Sequence, residues 1–105
     1  MDCVSIQQGA QKVLLLSQQM LEMAKSAEWA LMSRLEQTRY QSLQRLFRHP
    51  DIRQNLWMIA ETLKEIMRID KECLSLGEQA KQDMLSTLKG QSQGKRAVQS
   101  YRQYS

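Results

Sequence analysis

The chain has 105 residues, with 15 Lys/Arg against 11 Asp/Glu for a formal charge of +4, two cysteines, one histidine and one proline. That length supports one domain with a core only if most of the chain takes part. Two cysteines make no disulfide framework and one histidine without a C-x-x-C pair makes no zinc site, so neither a metal nor a cofactor is expected. The absence of a Gly-rich phosphate loop, a nucleophile motif or a ligand cluster argues against an enzyme.

The charge is unevenly placed. Residues 1–88 carry eleven basic and eleven acidic side chains, whereas Lys89, Lys95, Arg96 and Arg102 lie in a tail without acids. The body is neutral and the tail holds the excess. The apolar run Val13–Leu16 is too short for a signal h-region or a membrane span, so a soluble, cytoplasmic protein is expected. Plentiful Leu, Met, Ala, Gln, Glu, Lys and Arg favour helix over sheet.

In chain order, Ser5 and Gln8 have the form of a capping box, and Ala10, Val13, Leu14, Met20, Leu21 and Ala24 recur at helical spacing after it. Pattern alone would run one helix from about residue 5 to 47. Ser26 offers an N-cap for a fresh helix, with Trp29 at its third position, and Leu31, Met32, Leu35, Leu43, Leu46 and Phe47 continue the apolar face. Pro50 breaks the pattern. Asp51 and Gln54 make a second capping box, and His49 is expected in the turn with its ring exposed.

From Ile52 a strict 4-3 spacing runs through Leu56, Ile59, Leu63, Ile66, Asp70, Cys73, Gly77, Ala80 and Met84. The seam widens between Ile66 and Leu76, where Met67 and Leu74 extend it on one side and Ile69 and Leu76 on the other. A helix apolar over that width wants more than one neighbour. Asp70, on the seam itself, needs a partner or water, and its expected role is to fix register. Cys73 reads as a small core residue and Cys3 as part of a loose terminus.

Gly90 is a natural C-terminal stop, and Gly90 with Gly94 frames a hinge. Beyond it Ala97, Val98, Tyr101 and Tyr104 share one helical face of a segment too short to be stable in water unless it docks. The expected architecture is therefore all-α: a small antiparallel bundle or hairpin of three main helices at about 5–25, 27–47 and 51–88, plus a short mobile C-terminal helix at about 95–104. In domain terms this is a body at 1–89, a hinge at 90–94 and a gating helix at 95–105. The first two helices either lie end to end along the third as a bent rod or fold up-down-up; matching lengths lean toward the bent rod.

With LLLSQQMLEMAKSAEWALM, the broad seam IMRIDKECLSL and the tail GQSQGKRAVQSYRQY in view, the chain resembles the FliT family of flagellar type III export chaperones. The features that carry the likeness are Leu15-Leu16-Ser17-Gln18 leading to Leu21-Glu22 and Ala24, Glu28-Trp29, Ile69-Asp70 with Glu72 and Leu74, Gly90-Gln91-Ser92, and Tyr101. The resemblance implies a protein that binds the C-terminal segment of the flagellar filament cap protein, prevents its early assembly and passes it to the export apparatus. It also implies contacts of some members with the export ATPase complex and with a flagellar transcription regulator, and a C-terminal helix that gates the client surface. It favours a break near Ser26, although Ser26-Ala27 stands where a glycine is often found, which predicts a gentler bend.

On this reading Met67, Ile69, Leu74 and Leu76 are the expected client contacts. Val98, Tyr101 and Tyr104 are expected to cover part of the same surface when no client is bound, with Gly90 and Gly94 as the hinge. Six internal methionines, Met20, Met23, Met32, Met58, Met67 and Met84, suit an adaptable contact surface but are also common core fillers. Two rivals remain. One is a coiled-coil scaffold whose wide stripe makes a homodimer; the other is a nucleic-acid binder using the basic tail and its tyrosines. Four positive charges beside a neutral body argue for no nucleic acid as partner.

Overall fold

The computed structural model describes residues 2–91, which form α1 (Asp2–Lys25), α2 (Trp29–Phe47) and α3 (Ile52–Gln91). The chain divides into two units, Met1–Leu74 and Ser75–Ser105. The first holds α1, α2 and the beginning of α3.

Within the first unit α1 and α2 run side by side in opposite directions. Gly9 lies against Leu46, and Ser17 lies against Arg39, so residue numbers fall on one helix as they rise on the other. This antiparallel pairing decides between the two arrangements that the sequence left open, and it corrects the lean toward a bent rod. The glycine has a steric reason here: a Cβ at position 9 would stand 3.2 Å from Leu46 Cδ1.

The reversal between the helices has a local cause. Ala27 has φ 57°, in the left-handed region. Around it the Ala27 N–H donates to the Ala24 carbonyl at 3.1 Å and the Glu28 N–H to the Met23 carbonyl at 2.8 Å. Those two bonds are the paired closure of a Schellman motif, which satisfies carbonyls that the helix end would otherwise orphan. An alanine thus occupies the position that glycine usually fills, and the bend is a full reversal rather than the gentler one expected. Glu28, not Ser26, is the N-cap of α2, and it makes no side-chain cap bond.

Other boundaries also shift. α1 begins at Asp2, which puts Ser5 inside the helix instead of at its cap. α3 continues through Gly90 to Gln91, so Gly90 sits within a helical turn rather than beyond the last one. The residues after 91, including the expected helix at 95–104, lie outside those described. Between α2 and α3, the His49 carbonyl accepts from Ile52 N–H at 3.2 Å, and His49 Nδ1 accepts from Asp51 N–H at 3.1 Å. That side-chain bond draws the ring in, so His49 is half-buried and not exposed as expected.

The core follows the periodicity. On α1 the buried positions Ile6, Ala10, Val13, Ser17, Met20, Leu21 and Ala24 recur at three- and four-residue intervals. Ile6 and Ala10 meet Leu46 of α2 and Ile52 and Ile59 of α3 in one cluster, against which Met58 and Leu63 pack. On α3 the buried set is Ile52, Ile59, Ile66, Ile69 and Cys73, whereas Leu56 is exposed and Leu63 half-buried. Four of the ten predicted seam positions, Ile52, Ile59, Ile66 and Cys73, are therefore core. Within the first unit Leu56, Leu63 and Asp70 lie at the edge of the core, because the helix is rolled toward Ile69.

Ala27 gives the fold a direct test. A non-glycine residue in the left-handed region costs about 1–2 kcal/mol, partly offset in the glycine variant by the greater freedom of its unfolded chain. Ala27→Gly is expected to stabilise the protein by about 0.5–1 kcal/mol, read as a higher urea midpoint. A lower midpoint would show that the turn is held in some other way.

Candidate docking surface

The roll of α3 settles which side chains reach solvent. Met67 is 61% exposed and Leu74 73%, whereas Ile69 is only 2% exposed. The sequence treated these as two flanks of one broad stripe. In the folded unit the Ile69 flank is core and the Met67–Leu74 flank is open, so Ile69 is not on the surface where a client was expected to meet it. Leu76 is half-buried and belongs to the second unit.

Leu56, Met67 and Leu74 fall on one line of the helix, since eleven and seven residues bring a 3.6-residue repeat back to nearly the same angle. Half-buried Ala60 and Leu63 lie between them. The result is an apolar lane in which partly sheltered Ala60 and Leu63 separate exposed Leu56 from exposed Met67 and Leu74. Trp57, at 75% exposure, adds a large aromatic surface beside its beginning. The methionines sort in the same way: Met20 is buried, Met23, Met32 and Met58 are half-buried, and Met67 and Met84 are exposed.

The lane is bordered by charge on both sides. Outward, Arg68 bridges Glu65 and Glu72 at 2.6 and 3.0 Å, and Lys64 pairs with Glu61 at 3.3 Å. The hydrogen bonds from Arg68 hold the Glu65 carboxyl below its ordinary range and push the guanidinium further up. These pairs are fully solvated, so they contribute little to stability and serve mainly to keep that face wet.

Inward, Asp70 meets the partner that the sequence required for it. Arg39 of α2 reaches it, with Nη1 donating to Asp70 Oδ1 at 2.5 Å and to Ser17 Oγ at 3.1 Å. The Ser17 hydroxyl in turn donates to the Val13 carbonyl at 2.8 Å. One guanidinium therefore ties all three helices together. Its Nε is buried without a hydrogen-bond partner among the described residues, so the tie carries a desolvation cost. Met67 and Leu74 stand three residues before and four after Asp70, on its side of α3, and border the seam that Arg39 closes.

Ser17 and Arg39 were missed as a pair by reading the sequence. Arg39 does fall on the apolar face of α2, four residues after Leu35 and seven before Leu46, and a lone charge on such a face is the signal that could have found it. The expected tail contacts Val98, Tyr101 and Tyr104, and the hinge residue Gly94, lie outside the described residues. Among the described residues, no group of three His, Cys, Asp or Glu is placed to hold a metal ion, and no helix is long and apolar enough to cross a membrane.

Cys73, next to Asp70 in the core, has its thiol pushed up by burial and then by the Asp70 charge. The thiolate is the reactive form. Iodoacetamide at neutral pH, followed by peptide mapping, is expected to label Cys73 at least tenfold more slowly than it does in urea. Equal rates would mean that the α3 core face opens freely.

No curated protein and no solved structure matches the chain. A family model does, that of the flagellar protein FliT, over residues 8–103. That span takes in the Ser17–Arg39–Asp70 tie and the open lane as well as the tail, and the chain belongs to the FliT family of flagellar proteins.

Proposed function

We propose that this FliT-family protein is a cytoplasmic export chaperone that lays an amphipathic client helix along the lane of Leu56, Met67 and Leu74. The observation that carries the reading is the exposure of Met67 and Leu74, in line with exposed Leu56 and beside the buried Ile66, Ile69 and Cys73. Open apolar side chains at this spacing suit helix-in-groove recognition, in which a partner supplies anchors at i, i+3 or i+4 and i+7. A methionine in the lane lets it adapt to a client whose side chains vary.

The client is the C-terminal segment of the flagellar filament cap protein. Covering its apolar face keeps it from assembling early and holds it in a form the export apparatus can take. Contacts with the export ATPase complex and with a flagellar transcription regulator are further functions in the same reading. The tail acts by competition: Val98, Tyr101 and Tyr104, released by the joint between Gly90 and Gly94, cover part of the lane when no client is present. A client must then overcome whatever the tail gains by docking, so the gate sets affinity without altering the lane.

Fully burying a leucine or methionine contributes about 1.5–3 kcal/mol relative to leaving it in water. Met67 and Leu74 are already partly covered, so the pair is expected to supply roughly 2–3 kcal/mol of client affinity. Calorimetric titration of the cap protein's C-terminal segment should show binding weakened at least tenfold in Met67→Ser/Leu74→Ser, with the melting temperature little changed. The variant Val98→Ala/Tyr101→Ala/Tyr104→Ala should bind several-fold more tightly. Wild-type affinity in the lane variant would remove the lane from client binding. Altered sedimentation without altered client affinity would make it a self-association surface instead.

A further inference from the structure

A second site lies away from the lane, where α1 and α2 approach over the Gly9–Leu46 contact. A notch of about 150 Å³ opens there, lined on its polar side by Ser5, Lys12, Ser42, Arg45 and His49. Among the described residues, no carboxylate lines it. Lys12 and Arg45 are exposed, and neither makes an ion pair with a described residue, whereas Lys64 and Arg68 on α3 are both paired. Two unopposed cations therefore share one small recess.

Ser42 makes the notch more than a patch of surface charge. It is 7% exposed, yet its hydroxyl has no hydrogen-bond partner among the described residues. Serines inside helices ordinarily return their hydroxyl to the carbonyl four residues back. Ser17 does so to Val13, and Thr38 does the equivalent to Arg34. Ser42 does not; the buried side-chain donor left unmatched among the described residues is Arg39 Nε, so the Ser42 hydroxyl reaches solvent through the notch and is available to a ligand there.

His49 supplies a fourth donor. Its Nδ1 accepts from Asp51 N–H, so in the neutral ring the proton sits on Nε2, the one polar ring atom left to act at the notch. The recess thus gathers a guanidinium, an ammonium, a hydroxyl and an imidazole N–H, with no carboxylate among the described residues that line it. Arg45 brings a planar fork of donors suited to the two oxygens of a carboxylate or phosphate.

We propose that this notch between α1 and α2 is an oxyanion-binding site, formed by Lys12, Ser42, Arg45 and His49, that takes one carboxylate or phosphate group. It does not rest on client binding at α3, because no lane residue lines it. The volume admits one such group with its water and not a larger ligand. The source is either an acidic side chain of a partner protein or free phosphate, and the two differ in how they respond to charge. A doubly charged phosphate gains more from Lys12 and Arg45 than a single carboxylate does.

His49 is the only histidine, which makes its ring protons an isolated NMR reporter. The full-length protein is titrated at fixed pH and fixed ionic strength with inorganic phosphate, with acetate and with sodium chloride as the control. The expected result is a saturating shift of the His49 ring signal and the Ser42 amide with phosphate or acetate, and none with chloride. Tighter phosphate binding identifies free phosphate as the source, and comparable acetate binding an acidic side chain. Lys12→Ala/Arg45→Ala should weaken the response at least tenfold. Ser42→Ala, which keeps both charges, should weaken it about threefold. Linear drift with every salt, or saturation unaltered in both variants, would overturn the proposal.

Discussion

The guanidinium of Arg39 is the contact on which the arrangement of the three helices turns. It reaches from α2 to Ser17 on α1 and Asp70 on α3, and the Ser17 hydroxyl passes the chain of bonds on to the α1 backbone. Apolar packing alone leaves α3 a choice, because its stripe between Ile66 and Leu76 is wider than one interface can cover. With Asp70 held at the seam, Ile66, Ile69 and Cys73 turn inward while Met67 and Leu74 turn out. The tie is partly buried, with the Arg39 side chain 12% exposed and that of Asp70 38%. Such pairs often add little net stability, and their better-attested use is to select one register over its alternatives. Here the register selected is the one that leaves an apolar lane open.

Much of this architecture was legible in the sequence. Periodicity and the Pro50 break gave two helical stretches, the break near Ser26 rested on a capping signal and the family likeness, and the broad stripe on α3 and the unsatisfied Asp70 were visible at once. What sequence could not supply was rotation. Ile69 and Met67 lie on opposite flanks of the same stripe, and spacing alone does not tell which flank faces α1 and α2. Arg39 drew no reading from the sequence, and its partners on α1 and α3 appear only across the bundle. The reversal after α1 was hidden for a different reason: its left-handed residue is Ala27, and the usual glycine signal is missing.

The notch was invisible to pattern for a related reason. Ser42 and Lys12 belong to different helices, and nothing in either helix marks them as neighbours. Only the close approach of α1 and α2 at Gly9 brings them to one recess with Arg45 and His49. The first unit therefore carries two surfaces of opposite chemistry, an apolar lane on α3 and a cationic notch between α1 and α2. A partner bound at both would be held by a greasy face and an acidic group together, which gives more selectivity than either alone.

The claim that a single polar tie sets the roll of α3 is tested most directly by a double-mutant cycle in urea with Arg39→Met and Asp70→Leu. Each single replacement is expected to cost about 2 kcal/mol, since it strands a partly buried charge. The double replacement should cost clearly less than the two together, with a coupling of at least about 1 kcal/mol. Strictly additive losses would mean that Arg39 and Asp70 act independently and that packing by itself decides which flank of α3 stays open.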